Sequence, residues 1–361
     1  MSLVNYMRVI ISAGGTGGHI YPALSILKKI KEKDPNSEVL YIGTMDRMES
    51  KIVPEMNIPY IGVNVIGLKK NFTIFKAGYL FLKAISKCKK IIKEFKPDVV
   101  IGVGGYITAP VIYAAKKLGI KTIIHEQNSI PGKSNIFLKK YVDKVMVSLP
   151  GSIDYFSGDV VLTGNPRSQE AYYAKKMDKK ELGFHENKKL VLIVMGSLGS
   201  TTVTNCLLDI VPKFKDKDYE VLIISGKDYY DKYPKDLPSN VKVIPFLNNM
   251  VNLLKNVDVM VTRAGASTIA EIVAIGLPSI LVPSPYVANN HQLFNAKELV
   301  NKNSALLLEE KDLNSENLLK KIDLLLTNSV LYKEISENAK KISVINSSDR
   351  IYEEIKKVLG G

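Results

Sequence analysis

Short apolar runs rich in Val, Ile and Leu alternate with segments of helical length along the whole chain. In the first half they fall at residues 9–13, 38–42, 99–103, 122–125, 144–148 and 160–163. In the second half they fall at 190–195, 220–225, 241–244, 257–262, 279–282 and 305–308. Strands that are apolar on both faces and separated by helices belong to parallel sheets covered on both sides. Twelve strands are too many for one compact sheet. The pattern also restarts, with a Gly-rich loop after the first strand of each half: Gly14 to Gly18, then Gly196-Ser197-Leu198-Gly199. An α/β chain of two Rossmann-like domains with parallel sheets is the simplest account. The domains are expected at residues 1–164 and 165–345, divided at Gly164-Asn165-Pro166. Residues 346–361 read as an amphipathic helix, expected to pack back on the first domain.

Length changes little: 361 residues suit two domains, and 46% hydrophobic with 24% charged residues suits a folded chain. Two cysteines, Cys88 and Cys206, are too few for a disulfide framework or a metal cage. No basic-then-apolar leader precedes the first strand, and no window approaches the ~20 apolar residues of a membrane span, so the expected location is the cytoplasm. Charge is more informative. Residues 1–165 hold 23 Lys and Arg against 12 Asp and Glu, whereas residues 166–361 hold 27 against 24. A basic first half points to an anionic partner on that side. A generally lysine-rich composition is the competing account, and it leaves the asymmetry unexplained.

A strand that ends in a Gly-rich turn and opens a helix offers free N–H groups and a partial positive charge to an anion. The dinucleotide fingerprint is incomplete here: Ile20 stands where its third glycine belongs, and the second strand ends Ile42-Gly43-Thr44 without a carboxylate. The P-loop reading fails at Gly18-His19, which has no Gly-Lys-Ser/Thr. His19 is the distinctive residue. At a pKa near ~6.5 an imidazole takes a proton from a hydroxyl at neutral pH, although a lone histidine more often caps or packs its turn. A second polar cluster, His125-Glu126-Gln127-Asn128, follows another strand, at the end where ligands of open α/β sheets lie. In the second half, Arg263-Ala264-Gly265 and the small residues through Thr268 open a helix with Glu271 on it. A carboxylate there either accepts from ribose hydroxyls or complements the helix dipole. Asn289-Asn290-His291-Gln292 follows a further strand and offers amides that suit sugar hydroxyl and acetamido groups.

Residues 68–96 carry nine lysines and one acid, Glu94, with Phe72, Ile74, Phe75, Tyr79, Leu80, Phe81 and Leu82 among them. Residues 81, 85, 88, 92 and 95 recur at helical spacing and read as core. The remaining aromatics beside lysines fit an interfacial segment on anionic lipid. A nucleic-acid patch is the rival, but no nucleic-acid-binding signature accompanies it, so no nucleic-acid partner is expected.

Taken in order, Gly14-Gly15-Thr16-Gly17-Gly18-His19 with Pro22, Gly104-Gly105-Tyr106, His125 to Asn128, Gly164-Asn165-Pro166-Arg167, and Arg263 to Glu271 resemble the MurG family of peptidoglycan N-acetylglucosaminyltransferases, which convert lipid I to lipid II. The resemblance runs along nearly the whole chain. It implies a GT-B fold, with a cleft between a lipid-acceptor N-terminal domain and a UDP-sugar C-terminal domain. It also implies an inverting transfer from UDP-N-acetylglucosamine to the 4-hydroxyl of the muramoyl sugar, at the cytoplasmic face of the cell membrane. By the same resemblance Thr16, Gly17 and Gly18 line the donor–acceptor junction, and Asn128 contacts the donor sugar. Arg167 and Ser197 hold the diphosphate side, and Leu247 reads uracil through its backbone. Ala266, Ser267, Thr268, Ile269, Ala270 and Glu271 form the donor helix start, with Glu271 on ribose and Gln292 on the sugar hydroxyls. His19 is the first candidate for the base. No cofactor is implied, and without an Asp-x-Asp cluster no tightly bound metal is expected.

The alternatives left open are a diacylglycerol glycosyltransferase of the same fold, a UDP-N-acetylglucosamine epimerase on a similar scaffold, and a basic nucleic-acid binder.

Overall fold

The computed structural model describes residues 6–65, 74–195 and 201–361, with side chains from residue 78 onward in the second segment. The predicted loop Gly196 to Gly199, with Ser197, lies outside the described residues, as do residues 68–73 of the lysine-aromatic segment. The chain divides into two compact units, Met1–Arg167 with Asn346–Gly361, and Ser168–Ile345.

The first unit is built on β1 (Arg8–Ala13), β2 (Glu38–Thr44), β3 (Tyr60–Val63), β4 (Val99–Gly104), β5 (Lys121–Glu126), β6 (Lys144–Val147) and β7 (Val160–Leu162). They form one parallel sheet in the order β3-β2-β1-β4-β5-β6-β7. Ile10, Val100 and Ile124 pack toward one face; Val9, Ile11, Ile101 and Ile123 pack toward the other. Coverage on both sides explains why these strands carry continuous apolar runs rather than alternation. The chain leaves β1 toward β2, then returns to β4 on its other side. This switch point puts the loops after β1 and β4 next to each other, where ligands of open α/β sheets bind.

The second unit repeats the plan with β8 (Leu190–Val194), β9 (Glu220–Ile224), β10 (Val241–Ile244), β11 (Val259–Thr262), β12 (Ser279–Leu281) and β13 (Leu306–Leu307). Their order is β10-β9-β8-β11-β12-β13, again parallel. Its switch point lies between β8 and β11.

The C-terminal helix Ser347–Val358 places Ile351 and Ile355 in the apolar layer formed by β1, β4 and the helix Gly17–Lys33. Ion pairs fasten it at both ends. Asp349 lies 3.3 Å from Lys29 and from Lys33. Glu354 pairs with Lys144, which also reaches Asp159 at 3.0 Å.

Two elements depart from the sequence reading. β3 is an additional strand: four residues with a glycine, paired only with β2 at the sheet edge, leave too short an apolar run to recognise. The run at 257–262 starts its strand at Val259, because Asp258 turns its carboxylate to the Leu190 N–H at 2.7 Å and caps the entry to β8.

Candidate active site

The loop after β1 opens the helix Gly17–Lys33 at Thr16, whose extended backbone (φ −145°, ψ 155°) forms the N-cap. The carbonyl of Thr16 accepts from the N–H groups of His19 and Ile20. No side chain caps this helix end and its first turn holds no acid, so its electropositive end is left to whatever lies against it. Thr16 and Gly18 are exposed; Gly17 and His19 are half-buried. The His19 ring stands with Nδ1 3.2 Å from the Gly14 carbonyl and 3.4 Å from Thr16 Oγ1. Its ring edge lies over Gly104, where a Cβ would collide with it. Gly104 (φ 117°) and Gly105 (φ 87°) hold left-handed conformations that L side chains disfavour. A Cβ on Gly105 would also strike the Gly14 carbonyl. The glycines after β4 therefore let two loops approach within hydrogen-bonding distance, and Gly14 N–H reaches Gly104 O at 3.2 Å.

Behind the loop lies Glu49, fully buried and unnoticed in the sequence. Its Oε2 accepts from Gly15 N–H at 3.1 Å, and Oε1 accepts from Thr44 N–H at 3.1 Å and Thr44 Oγ1 at 2.7 Å. The available signal was Gly43-Thr44 at the end of β2 with an acid five residues on, a spacing that no standard fingerprint contains.

The His125–Asn128 cluster is divided by the structure. His125, Glu126 and Gln127 are at most 1% exposed; only Asn128 is half-exposed. His125 Nε2 meets the Gly164 carbonyl at 3.1 Å, and burial pushes its pKa down to about 4 although that carbonyl and Glu126 oppose the shift. Glu126 gathers donors from the following loop: Gln127 N–H and Asn128 N–H at 3.0 Å, the Asn128 amide at 3.2 Å, Gly132 N–H at 2.9 Å and the Asn135 amide at 2.8 Å. These residues shape the turn that presents Asn128. Arg167, half-buried, has its backbone N–H held by Asn165 Oδ1 at 3.1 Å.

In the second unit the loop after β11 leads to the helix Ala266–Ile275, with Gly265 as its N-cap and no side-chain cap. Ser267 and Thr268 are half-exposed, while Ala266, Ile269, Ala270 and Glu271 are buried. Glu271 stands on the second turn at 5% exposure. Arg263 is turned inward: it donates to the Val282 carbonyl at 3.1 Å and pairs with buried Glu310 at 2.6 Å. Asn295, also missed in the sequence, donates to the Ala264 carbonyl at 3.2 Å. Both hold the loop that sets the helix start. Gln292 accepts from Ser284 N–H at 2.9 Å, tying the loop after β12 to the helix His291–Val300. Leu247 is half-buried after β10, beside Phe246, which is 56% exposed. Thr16 to His19, Gly104 and Asn128 thus lie at strand ends of the first unit, and residues 247, 266–271 and 292 at strand ends of the second.

The Glycosyltransferase family 28 N-terminal domain matches residues 9–147, and the Glycosyltransferase family 28 C-terminal domain matches residues 190–351. The chain belongs to glycosyltransferase family 28. Among its relatives in that family, the UDP-N-acetylglucosamine–N-acetylmuramyl-(pentapeptide) pyrophosphoryl-undecaprenol N-acetylglucosamine transferase of Bacillus subtilis is 45% identical, over 97% of this chain and all of that protein. The transferase of the same name from Bacillus cytotoxicus is 44% identical, over 98% of this chain and all of that protein. The crystal structure of Acinetobacter baumannii MurG superposes with a TM-score of 0.80 at 27% identity, covering 97% of this chain and 99% of that one. The chain thus has the GT-B fold of the MurG enzymes. Among the described residues, no helix is long and apolar enough to cross a membrane.

Proposed function

We propose that this chain transfers N-acetylglucosamine from UDP-N-acetylglucosamine to undecaprenyl-diphospho-N-acetylmuramoyl-pentapeptide (lipid I), giving lipid II for peptidoglycan synthesis. The observation that carries the reading is the full-length relationship, at 45% identity, to a transferase named for that donor and acceptor. The site chemistry agrees with it. The glycosidic C1–O bond to the diphosphate breaks and UDP leaves with the electron pair. The 4-hydroxyl oxygen of the muramoyl sugar forms the new bond to C1 from the opposite face, with inversion, and its proton goes to His19. With Nδ1 donating to the Gly14 carbonyl, Nε2 is the ring nitrogen that accepts this proton.

The remaining assignments are part of the proposal. The uncapped start of the helix Ala266–Ile275, with Ser267 and Thr268, meets the diphosphate as charge develops on it. Arg167 and Ser197 assist there. Glu271 takes the ribose hydroxyls, the backbone of Leu247 takes uracil, and Gln292 and Asn128 take hydroxyl and acetamido groups of the donor sugar. Thr16, Gly17 and Gly18 form the wall where donor and acceptor meet.

The acceptor is anchored in a bilayer, so the first unit is proposed to work as a peripheral protein on the cytoplasmic membrane face. The helix Ile74–Phe95 supports this: Tyr79 and Leu82 expose 65% and 66% beside its lysines, and Phe137, 41% exposed, packs edge-on against Phe81 at 6.3 Å. Exposed apolar side chains set among lysines suit an anionic lipid surface, and no nucleic-acid partner is proposed. The test is UDP release from UDP-N-acetylglucosamine in the presence of a lipid I analogue, with a vesicle arm for the membrane assignment.

A further inference from the structure

One peptide unit joins two of the groups described above. The N–H of Gly15 donates to Glu49 Oε2 at 3.1 Å. The oxygen of the same peptide, Gly14 O, lies 3.2 Å from His19 Nδ1. A carbonyl only accepts, so this contact, shorter than the 3.4 Å one from Nδ1 to Thr16 Oγ1, is a hydrogen bond when Nδ1 carries the proton. We propose that Glu49 is a positioning residue for the transfer reaction: through the Gly14–Gly15 peptide it holds His19 in its Nδ1–H tautomer and raises the basicity of Nε2. The proposal rests on His19 being the base.

The physical route is hydrogen-bond polarisation. A carboxylate accepting from an amide N–H makes a charge-assisted bond and draws the amide proton. The carbonyl oxygen of that amide becomes more negative and a stronger acceptor, an effect of roughly 10–30% per bond in a chain. The imidazolium that forms when Nε2 takes a proton is then better stabilised. A carboxylate hydrogen-bonded directly to a histidine ring does the same in hydrolytic triads; here a peptide stands between them.

The surroundings show that the arrangement is built in. Glu49 is fully buried, and its second oxygen is anchored by Thr44 N–H and Oγ1. A Cβ on Gly14 would collide with Glu49 Oε1, and a Cβ on Gly43 would press on its Cγ and on the Tyr60 hydroxyl. Two glycines therefore make room for one carboxylate. Because Glu49 takes the Gly15 N–H, that donor is withheld from a ligand phosphate, which distinguishes this loop from a nucleotide cradle.

The other titratable and charged groups facing the relay are accounted for. Tyr41 donates to the Ala13 carbonyl at 3.1 Å and Tyr60 donates to the Thr44 carbonyl; burial first and Glu49 second raise both their pKa values, so both stay neutral. Asp46 and Arg47 follow β2, and Arg47 pairs with Tyr106 from the loop after β4. His125 and Glu126, at the end of β5, are engaged in the network around Gln127 and Asn135.

The test compares His19→Ala, Glu49→Gln and the double variant in the full chain. His19→Ala comes first, because near-normal turnover in it removes the base and the relay with it. If His19→Ala is inactive, Glu49→Gln is expected to lower kcat roughly 10- to 100-fold, as loss of an orienting partner does elsewhere. Donor KM should stay within about twofold, and the acidic limb of the kcat profile should move to lower pH by about half a unit or more. In the His19→Ala background Glu49→Gln should change the residual rate by no more than about twofold, because coupled groups do not add. A wild-type rate and an unmoved limb in Glu49→Gln would overturn the relay while leaving the base. Should Glu49→Gln not fold, nitrogen NMR of the wild-type protein, which has four histidines to assign, decides alone. A protonated Nδ1 in neutral His19 is expected, and a protonated Nε2 overturns the proposal.

Discussion

The side-chain amide of Gln127 donates to Nδ1 of His125 at 2.9 Å, leaving the proton of the neutral ring on Nε2, which donates to the Gly164 carbonyl. The interior of β5 therefore holds a neutral histidine, with burial pressing its pKa down to about 4. Between that value and the ~6.5 of an unfolded chain, the unfolded state binds a proton that the folded state refuses. Stability contributed here is complete above pH ~6.5 and is lost as pH falls toward 4, by about 3 kcal/mol over the window. Denaturant unfolding from pH 7 to 5 should show this slope, and His125→Gln should flatten it. An equal slope in the variant would place the effect elsewhere.

His19, half-buried at its loop, is the proposed base. His19→Ala should lose roughly 10²- to 10⁴-fold in kcat, the range for a general base, with UDP affinity retained. Steady-state kinetics with calorimetric UDP binding separate the two quantities.

Gly104 tests the same site from the opposite side. Alanine there meets the His19 ring and a φ of 117°, a strain of about 1–3 kcal/mol. Gly104→Ala should lower kcat by displacing the imidazole while donor affinity, proposed to reside in the second unit, holds. Loss of UDP binding would contradict that division.

The C-terminal helix makes a stability prediction. Burial works against ionisation of Glu354, but hydrogen bonds from Lys144 and Lys357 outweigh it and hold the carboxyl below its usual value. This stabilisation is fully present above the unfolded value of ~4.3 and fades as pH falls through the lower folded value. Glu354→Ala should cost roughly 2 kcal/mol at pH 7, between the values for exposed and buried pairs. Chemical denaturation measures it directly.

Much of this was legible in the chain because parallel strands covered on both faces must be apolar throughout. That rule located β1, β2 and β4 to β13, and it failed only at β3, where an edge position removes the need for a long apolar run. The glycine loop and His19 were visible because φ-permissive residues before a helix are rare enough to notice. The polar run at His125 could not be divided in the sequence because a buried network and an open site use the same residue types; only the depth of the strand end separates Asn128 from its neighbours. Glu49 was invisible for a related reason. Its partners are the Gly15 and Thr44 N–H groups and the Thr44 hydroxyl, brought together by pairing of β1 with β2, and no local pattern encodes them.

For the membrane assignment, Tyr79→Ser with Leu82→Ser should weaken binding to vesicles containing anionic lipid while leaving turnover on a water-soluble acceptor unchanged. Each nearby lysine contributes about 1 kcal/mol, so added salt should weaken binding as well. Vesicle sedimentation reads both effects. Binding that ignores salt and both substitutions would count against this face.

The transferase activity is tested by incubating the protein with UDP-N-acetylglucosamine and a lipid I analogue, following UDP release and the configuration of the new glycosidic bond. Stoichiometric UDP and a β-linked N-acetylglucosaminyl product are expected, neither formed without the acceptor. Turnover on diacylglycerol with none on lipid I, or acceptor-independent epimerisation of the donor, would contradict it.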